Sequence, residues 1–262
     1  MRRPLAALLA IVALAALSAC STKYTTAGGK LKTAPTPEEN YERGLAELKA
    51  KNYPEALRFF EYVKAKYPYS DVSAKCDLRV ADIKLSQDQA VEAAAAYGAF
   101  QKDHPTSEDF DYAKYRQALA LYKSTPNDFV LFPPAYEKDQ KEAEKAAALA
   151  RELEQKDPPS ALREDAAKLR AQIDDRLSRR EWFVAEYYYK QGRWAGAAGR
   201  YQGLVHDYPA SPRVPEALVK LARSYARLDE KFLARQALQE LVAHHAEAPE
   251  RPEAEKLLES LR

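Results

Sequence analysis

Residues 185–222 read AEYYYKQGRWAGAAGRYQGLVHDYPASPRVPEALVKLA, and this stretch decides the fold. It opens on Ala185 and closes on Ala222, 37 residues later, with Ala197 and Tyr201 between them. Near its end stands Tyr208-Pro209-Ala210-Ser211. Proline cannot continue a helix, and a serine hydroxyl accepts a hydrogen bond from an orphan amide at the start of the next one. The stretch therefore predicts helix, turn, helix, stop and restart, with Pro212 as the first residue of the new helix.

The same pattern recurs along the chain. The Pro-x-Ser stop appears as Tyr67-Pro68-Tyr69-Ser70, His104-Pro105-Thr106-Ser107, Asp157-Pro158-Pro159-Ser160 and Tyr208-Pro209-Ala210-Ser211. Small residues recur at Gly44, Ala81, Ala185 and Ala222, and again at Ala56, Ala93, Ala197 and Ala234. The second series is followed four residues later by Phe60, Tyr97, Tyr201 and Leu238. Small residues let two helices approach, and large ones fill the gap between successive pairs. The pattern resembles the tetratricopeptide repeat, whose basic length is about 34 residues. The expected fold is all-α, a tetratricopeptide-repeat superhelix of about five helix pairs.

On this frame residues 38–108 hold repeats one and two, 109–159 repeat three with an inserted loop, and 160–262 repeats four and five with a capping helix. Repeat three is expected to have helices near 109–123 and 135–156 around the loop 124–134, which carries Phe129 and Phe132 between prolines. Repeat four opens with a long proline-free helix over about 160–190. Repeat five covers 211–246, and a short helix near 252–261 caps the end. Gly196, Gly199 and Gly203 share one helix face, which points to close packing within the repeat.

The N-terminus reads as an address. Arg2 and Arg3 precede Leu5 to Leu17, an apolar run of 13 residues. That is short of the roughly 20 needed to span a bilayer and fits a secretory signal over residues 1–19. Leu17-Ser18-Ala19-Cys20 resembles the lipobox of bacterial lipoproteins, so Cys20 becomes the acylated first mature residue. In that family Ser21, rather than Asp, implies the outer membrane, with the protein on its periplasmic face. Residues 20–37 form a flexible tether, about 20–25 Å across if unstructured. Thr36, Pro37 and Glu39 form a capping box that starts the first helix. With Cys20 lipidated no disulfide scaffold is expected, and Cys76 belongs to an apolar helix face with Ala74, Leu78 and Val80.

Composition narrows the function. Lys plus Arg is 41 and Asp plus Glu is 39, so the chain lacks the basic surplus of a nucleic-acid binder. Only 8 residues are glycine, which argues against all-β folds and phosphate-cradling loops. No metalloprotease or nucleotide-binding motif occurs, the adjacent pair His244-His245 cannot face one metal from one helix face, and no cofactor is expected. Carboxylates alternate with Lys and Arg, as in 137–144, the usual solvated helix face. No catalytic constellation is present, so the reading is a binding protein and not an enzyme.

Two regions are rich in aromatics. One holds Tyr67, Tyr69, Tyr112 and Tyr115, with Arg79, Lys84 and Arg116 nearby; the other is Trp182 to Tyr189, five aromatics in eight residues. Five aromatics cannot share one helix face, so some must meet another helix pair, the insert or a partner.

The lipobox, tether, helix pairs and third-repeat insert together resemble the BamD family, lipoproteins of the β-barrel assembly machinery. The most specific segment is Asp175-Arg176-Leu177, Glu181, Val184 to Tyr188, Trp194 and residues 200–209, which look like that family's fourth repeat. The resemblance implies a non-enzymatic scaffold at the outer membrane. It implies a substrate groove for the targeting strands of unfolded outer-membrane proteins, lined by Tyr67, Tyr69, Tyr112, Tyr115 and Arg116. It implies a surface facing the barrel subunit BamA at Glu181, Arg193, Trp194 and Arg200. It also implies other assembly lipoproteins as partners, attachment to lipid through acylated Cys20, and no nucleic acid. The alternative is another periplasmic repeat lipoprotein that coordinates envelope or pilus assembly.

Overall fold

The computed structural model describes residues 31–126 and 133–261. The signal segment, Cys20, most of the tether and Phe129–Phe132 lie outside the described residues. Within them the chain is all-α, and it divides into two units after Pro68.

The first unit holds one helix pair, α1 (Pro37–Lys49) and α2 (Tyr53–Lys66). The Thr36 side chain accepts the Glu39 amide at 3.2 Å and Pro37 opens α1, as the capping box predicts. Behind the cap, the buried Asn40 side chain exchanges hydrogen bonds with the Ala34 backbone at 2.8 and 2.9 Å. Gly44 faces the fully buried Phe60 ring so closely that a Cβ would lie 2.5 Å from it, so an alanine here, unlike at the matching Ala81, Ala185 and Ala222, would force the ring to move.

The second unit holds α3 (Asp71–Ser86), α4 (Ala90–Asp103), α5 (Phe110–Ser124), α6 (Lys141–Gln155), α7 (Arg163–Lys190), α8 (Trp194–Asp207), α9 (Val214–Arg227), α10 (Lys231–His244) and α11 (Arg251–Ser260). Each helix packs on the next in sequence, the arrangement of successive helix pairs. The register residues make the core: Ala81, Ala93, Tyr97, Ala185, Ala197, Tyr201, Ala222, Ala234 and Leu238 are all buried. Cys76 is buried too, as a small apolar residue should be. Within pairs the turns also keep register. Lys51, Asp88, Gly192 and Asp229 all take left-handed backbone, with φ of 59°, 60°, 67° and 62°.

Four expectations are corrected. Of the four Pro-x-Ser serines only Ser70 caps a helix, accepting the Ser73 amide at 3.2 Å. Ser107, Ser160 and Ser211 sit three residues before their helices and bond instead to the amide two residues on, at 3.2, 3.3 and 3.4 Å. Their carbonyls accept the first helical amide at 3.1 Å each, so an extra turn intervenes. Pro212 falls in that turn, and Pro215 takes the early helical position of α9. The expected helix over 135–156 is broken into a single 3₁₀ turn, Ala135–Glu137, and α6. Buried Gln140 holds the break by donating to the Ala135 and Lys138 carbonyls at 2.7 and 2.8 Å and accepting from Arg176 at 2.6 Å. Of the three glycines on α8, only Gly196 is closely packed, against Tyr188; around Gly199 and Gly203 the space is open.

Candidate functional site

Of the residues expected to line a substrate groove, Tyr67 belongs to the first unit and Tyr69, Tyr112, Tyr115 and Arg116 to the second. Tyr67 ends α2 in the first unit, donates its hydroxyl to the Pro35 carbonyl at 2.9 Å and packs edge-on to Tyr62 at 6.4 Å. Tyr69 opens the second unit and is fully exposed. Tyr115 packs against the apolar core between α5, α6 and α7.

Tyr112 and Arg116 come together on a carboxylate that the sequence pattern does not single out. Asp82 on α3 is 6% exposed. It accepts from Tyr97 at 2.5 Å, Tyr112 at 2.8 and 2.9 Å, Arg116 at 3.1 Å and Arg79 at 2.7 Å. Burial and the Asp82 charge push the Tyr97 phenol far above its ordinary range and Tyr112 up to about 12. Arg116 also donates to the Tyr97 hydroxyl at 3.2 Å, and its planar group serves both partners at once. Two side chains expected at a binding surface are thus tied into an internal ionic cluster.

The second candidate surface is only partly assembled. Glu181 on α7 and Arg200 on α8 form an ion pair at 3.1 Å, with the Arg200 side chain half exposed. Arg193 is exposed in the turn before α8. Trp194 packs edge-on to Tyr189 at 5.3 Å, and the Arg227 guanidinium lies 5.6 Å from its ring. Phe183 meets Tyr136 of the 3₁₀ turn at 5.4 Å, so one of the crowded aromatics finds its partner on another element, while Tyr187 stays 54% exposed.

Beside this surface lies a second, half-buried cluster. Glu186 on α7 accepts from Tyr201 at 2.5 Å and from Lys220, whose ammonium also sits 4.6 Å from the Trp182 ring. Burial would push the Glu186 carboxyl up, but the hydrogen bonds from Lys220 and Tyr201 hold it below its ordinary value. Asp82, Tyr97 and Arg116 and their counterparts Glu186, Tyr201 and Lys220 differ by the same 104 positions. The apolar series already fixed that register, and extending it to polar positions finds both clusters. Among the described residues no group of His, Cys, Asp or Glu could hold a metal ion, and no helix is long and apolar enough to cross a membrane.

Comparison with known proteins adds the context. The family model described as "YfiO: Outer membrane lipoprotein" matches residues 33–241. A Neisseria meningitidis protein named "Outer membrane protein assembly factor BamD" is 28% identical over 237 residues, covering 89% of each chain. Proteins of the same name from Pasteurella multocida and Caulobacter vibrioides are 26% and 25% identical. They match 84% and 85% of this chain and 83% and 70% of their own. A crystal structure of a tetratricopeptide repeat protein from Parabacteroides merdae covers 79% of each chain at 12% identity, with a TM-score of 0.30, too loose a superposition to argue from.

Proposed function

This chain belongs to the YfiO family of outer membrane lipoproteins, and from that premise we propose that it is an outer membrane protein assembly factor of the BamD type. The observation that carries the reading is the family match across residues 33–241, joined by relatives bearing that name over most of both chains. It acts as a non-enzymatic scaffold, anchored through acylated Cys20, that brings an outer-membrane substrate to a barrel subunit.

Two surfaces divide the work. Glu181, Arg193, Trp194 and Arg200 face the BamA-like subunit. Aromatic and guanidinium side chains over a packed helix face are the usual composition of a binding hot spot, and the Arg200–Glu181 pair presents its charge half in solvent. Tyr67, Tyr69, Tyr112, Tyr115 and Arg116 belong to the region that receives targeting strands. Within that set the fully exposed Tyr69 is the side chain best placed to touch a substrate.

The test is a detergent pull-down of the lipidated chain from outer membranes, with mass spectrometry of the captured proteins. BamA and its accessory lipoproteins should dominate; envelope-coordinating or pilus proteins without BamA would overturn the reading in favour of the other class of periplasmic repeat lipoprotein. Arg200→Glu should loosen BamA copurification. A photo-crosslinker at Tyr69 should label a targeting peptide more strongly than one at Tyr115, and equal labelling would remove the substrate assignment.

A further inference from the structure

The last residues of the expected tether are folded onto the first helix pair. Residues 31–36 form a non-helical strap that enters α1 through Thr36, whose backbone is extended at φ −109° and ψ 155°. Three side chains of the pair grip the strap, and all three grip its backbone. The Asn40 amide accepts from the Ala34 N–H at 2.8 Å and donates to the Ala34 carbonyl at 2.9 Å and the Thr36 carbonyl at 2.6 Å. The Tyr67 hydroxyl donates to the Pro35 carbonyl at 2.9 Å, and the Arg43 guanidinium donates to the Lys32 carbonyl. Tyr62 adds a side-chain contact: its phenol is held below its ordinary value, first by the hydrogen bond with Lys66 and then by that with Thr33 of the strap.

Contacts to main-chain groups do not read sequence, so another chain segment can make them too. The one position with a size requirement is Ala34, which is buried and therefore takes a small side chain. Asn40 is fully buried, and lifting the strap away would strip both Ala34 bonds from its amide. A buried polar group left without its partners is costly, so exchange for another backbone is favoured over simple opening. Tyr67, which the strap occupies, also belongs to the set of residues proposed above to receive targeting strands.

We propose that residues 31–35 are the built-in occupant of a peptide site on the first helix pair, and that a non-helical segment of an unfolded outer-membrane protein displaces them by taking over Asn40, Tyr67 and Arg43. This rests on the reading of Tyr67 as a substrate residue. The incoming segment carries a small residue where Ala34 sits and is otherwise free in sequence. Displacement also changes the reach of the anchor. Latched at Leu31, the chain has ten residues between the strap and Cys20; released through Pro35 it has fifteen. Five more residues add at most about 17 Å of span. Substrate capture and a longer leash are then one event.

The first probe is a fluorescein-labelled peptide with the sequence of residues 28–36, titrated into the full-length chain in detergent and followed by anisotropy. Ala34→Trp is too large for its buried position and evicts the strap without changing the charge. The peptide should bind that variant at least about tenfold more tightly than the parent, whose own strap keeps the site closed for most of the time. Adding Asn40→Leu should return binding to the parent level. Equal binding by parent and Ala34→Trp, or a gain that survives Asn40→Leu, overturns the proposal. The second measurement needs no substitution. Hydrogen exchange of the Ala34 amide is followed in the parent while an unlabelled peptide copying the closing strand of an outer-membrane barrel is added. Once bound, that peptide should speed exchange at Ala34 by about tenfold, because the amide loses Asn40. If Ala34→Trp disturbs the far-ultraviolet spectrum, this measurement decides. The two readings fail separately. A barrel-strand peptide that binds while Ala34 stays protected strikes this inference and leaves the pull-down untouched, whereas a pull-down without BamA strikes the assembly reading whatever the strap does.

Discussion

The clusters around Asp82 and Glu186 hold the same three register positions and are built differently. Asp82, short and 6% exposed, gathers two phenols and two guanidiniums. Glu186 reaches further, keeps more solvent, and takes one phenol and the Lys220 ammonium, which Glu216 also holds at 3.1 Å. The repeat keeps a role, an acid bridging a buried tyrosine to a cation on the following helix, and leaves the residue type free. A point-charge lysine can be shared between two carboxylates, whereas the planar arginine fork fixes one acid and one phenol together. The N-terminal cluster is therefore the more tightly interlocked, and its parts the less replaceable.

Substitutions can break that comparison. Asp82→Asn strands two guanidiniums beside the buried Tyr97 and half-buried Tyr112 phenols and should cost about 3–4 kcal/mol in chemical denaturation. A cost below that of the Glu186 variant would reverse the ranking. Glu186→Gln should cost about 2 kcal/mol, because Lys220 retains Glu216. It should also change the acid limb. The Glu186 carboxyl titrates below its ordinary 4.5 in the fold, so its contribution is present above pH 4.5 and is lost as pH falls through the lowered value. Denaturation midpoints measured from about pH 6 down to about pH 3 should fall less steeply in the glutamine variant than in the parent. Arg116→Lys should cost about 1.5 kcal/mol, since an ammonium cannot serve Asp82 and Tyr97 in the geometry of the fork. Lys220→Arg is the converse exchange, and a gain there would sharpen the point. Arg200→Ala, at the exposed pair with Glu181, should change stability by no more than about 0.5 kcal/mol. Any weakened partner capture in that variant is then a surface effect.

Much of the fold was legible because apolar periodicity and proline stops are local signals. Ala81, Ala185, Tyr97 and Tyr201 announced their burial by spacing alone, and the long α7 by its lack of proline. The serine turns were harder, because a Pro-x-Ser motif fixes where one helix stops but not how many residues pass before the next begins. The break at Gln140 was invisible, since it depends on Arg176, far along the chain. The site was the least legible part. Tyr112 and Arg116 have the composition of a binding surface, and only the position of Asp82 shows that they point inward. A polar residue within an apolar register is read as solvated unless its partners two helices away are known.

Helix α7, 28 residues and about 42 Å long, has one more consequence. Leu169 and Ile173 in its first half and Leu177 at its middle belong to the core with α5 and α6, while Ala185 near its end belongs to the core with α8, α9 and α10. Repeat arrays ordinarily evolve by copying or deleting whole units. Here the wall between two units is a single uninterrupted rod, and any excision that removes it takes a side from both neighbours. The junction at α7 is thereby fixed, and a whole repeat can be added or removed without cutting a shared wall only away from it.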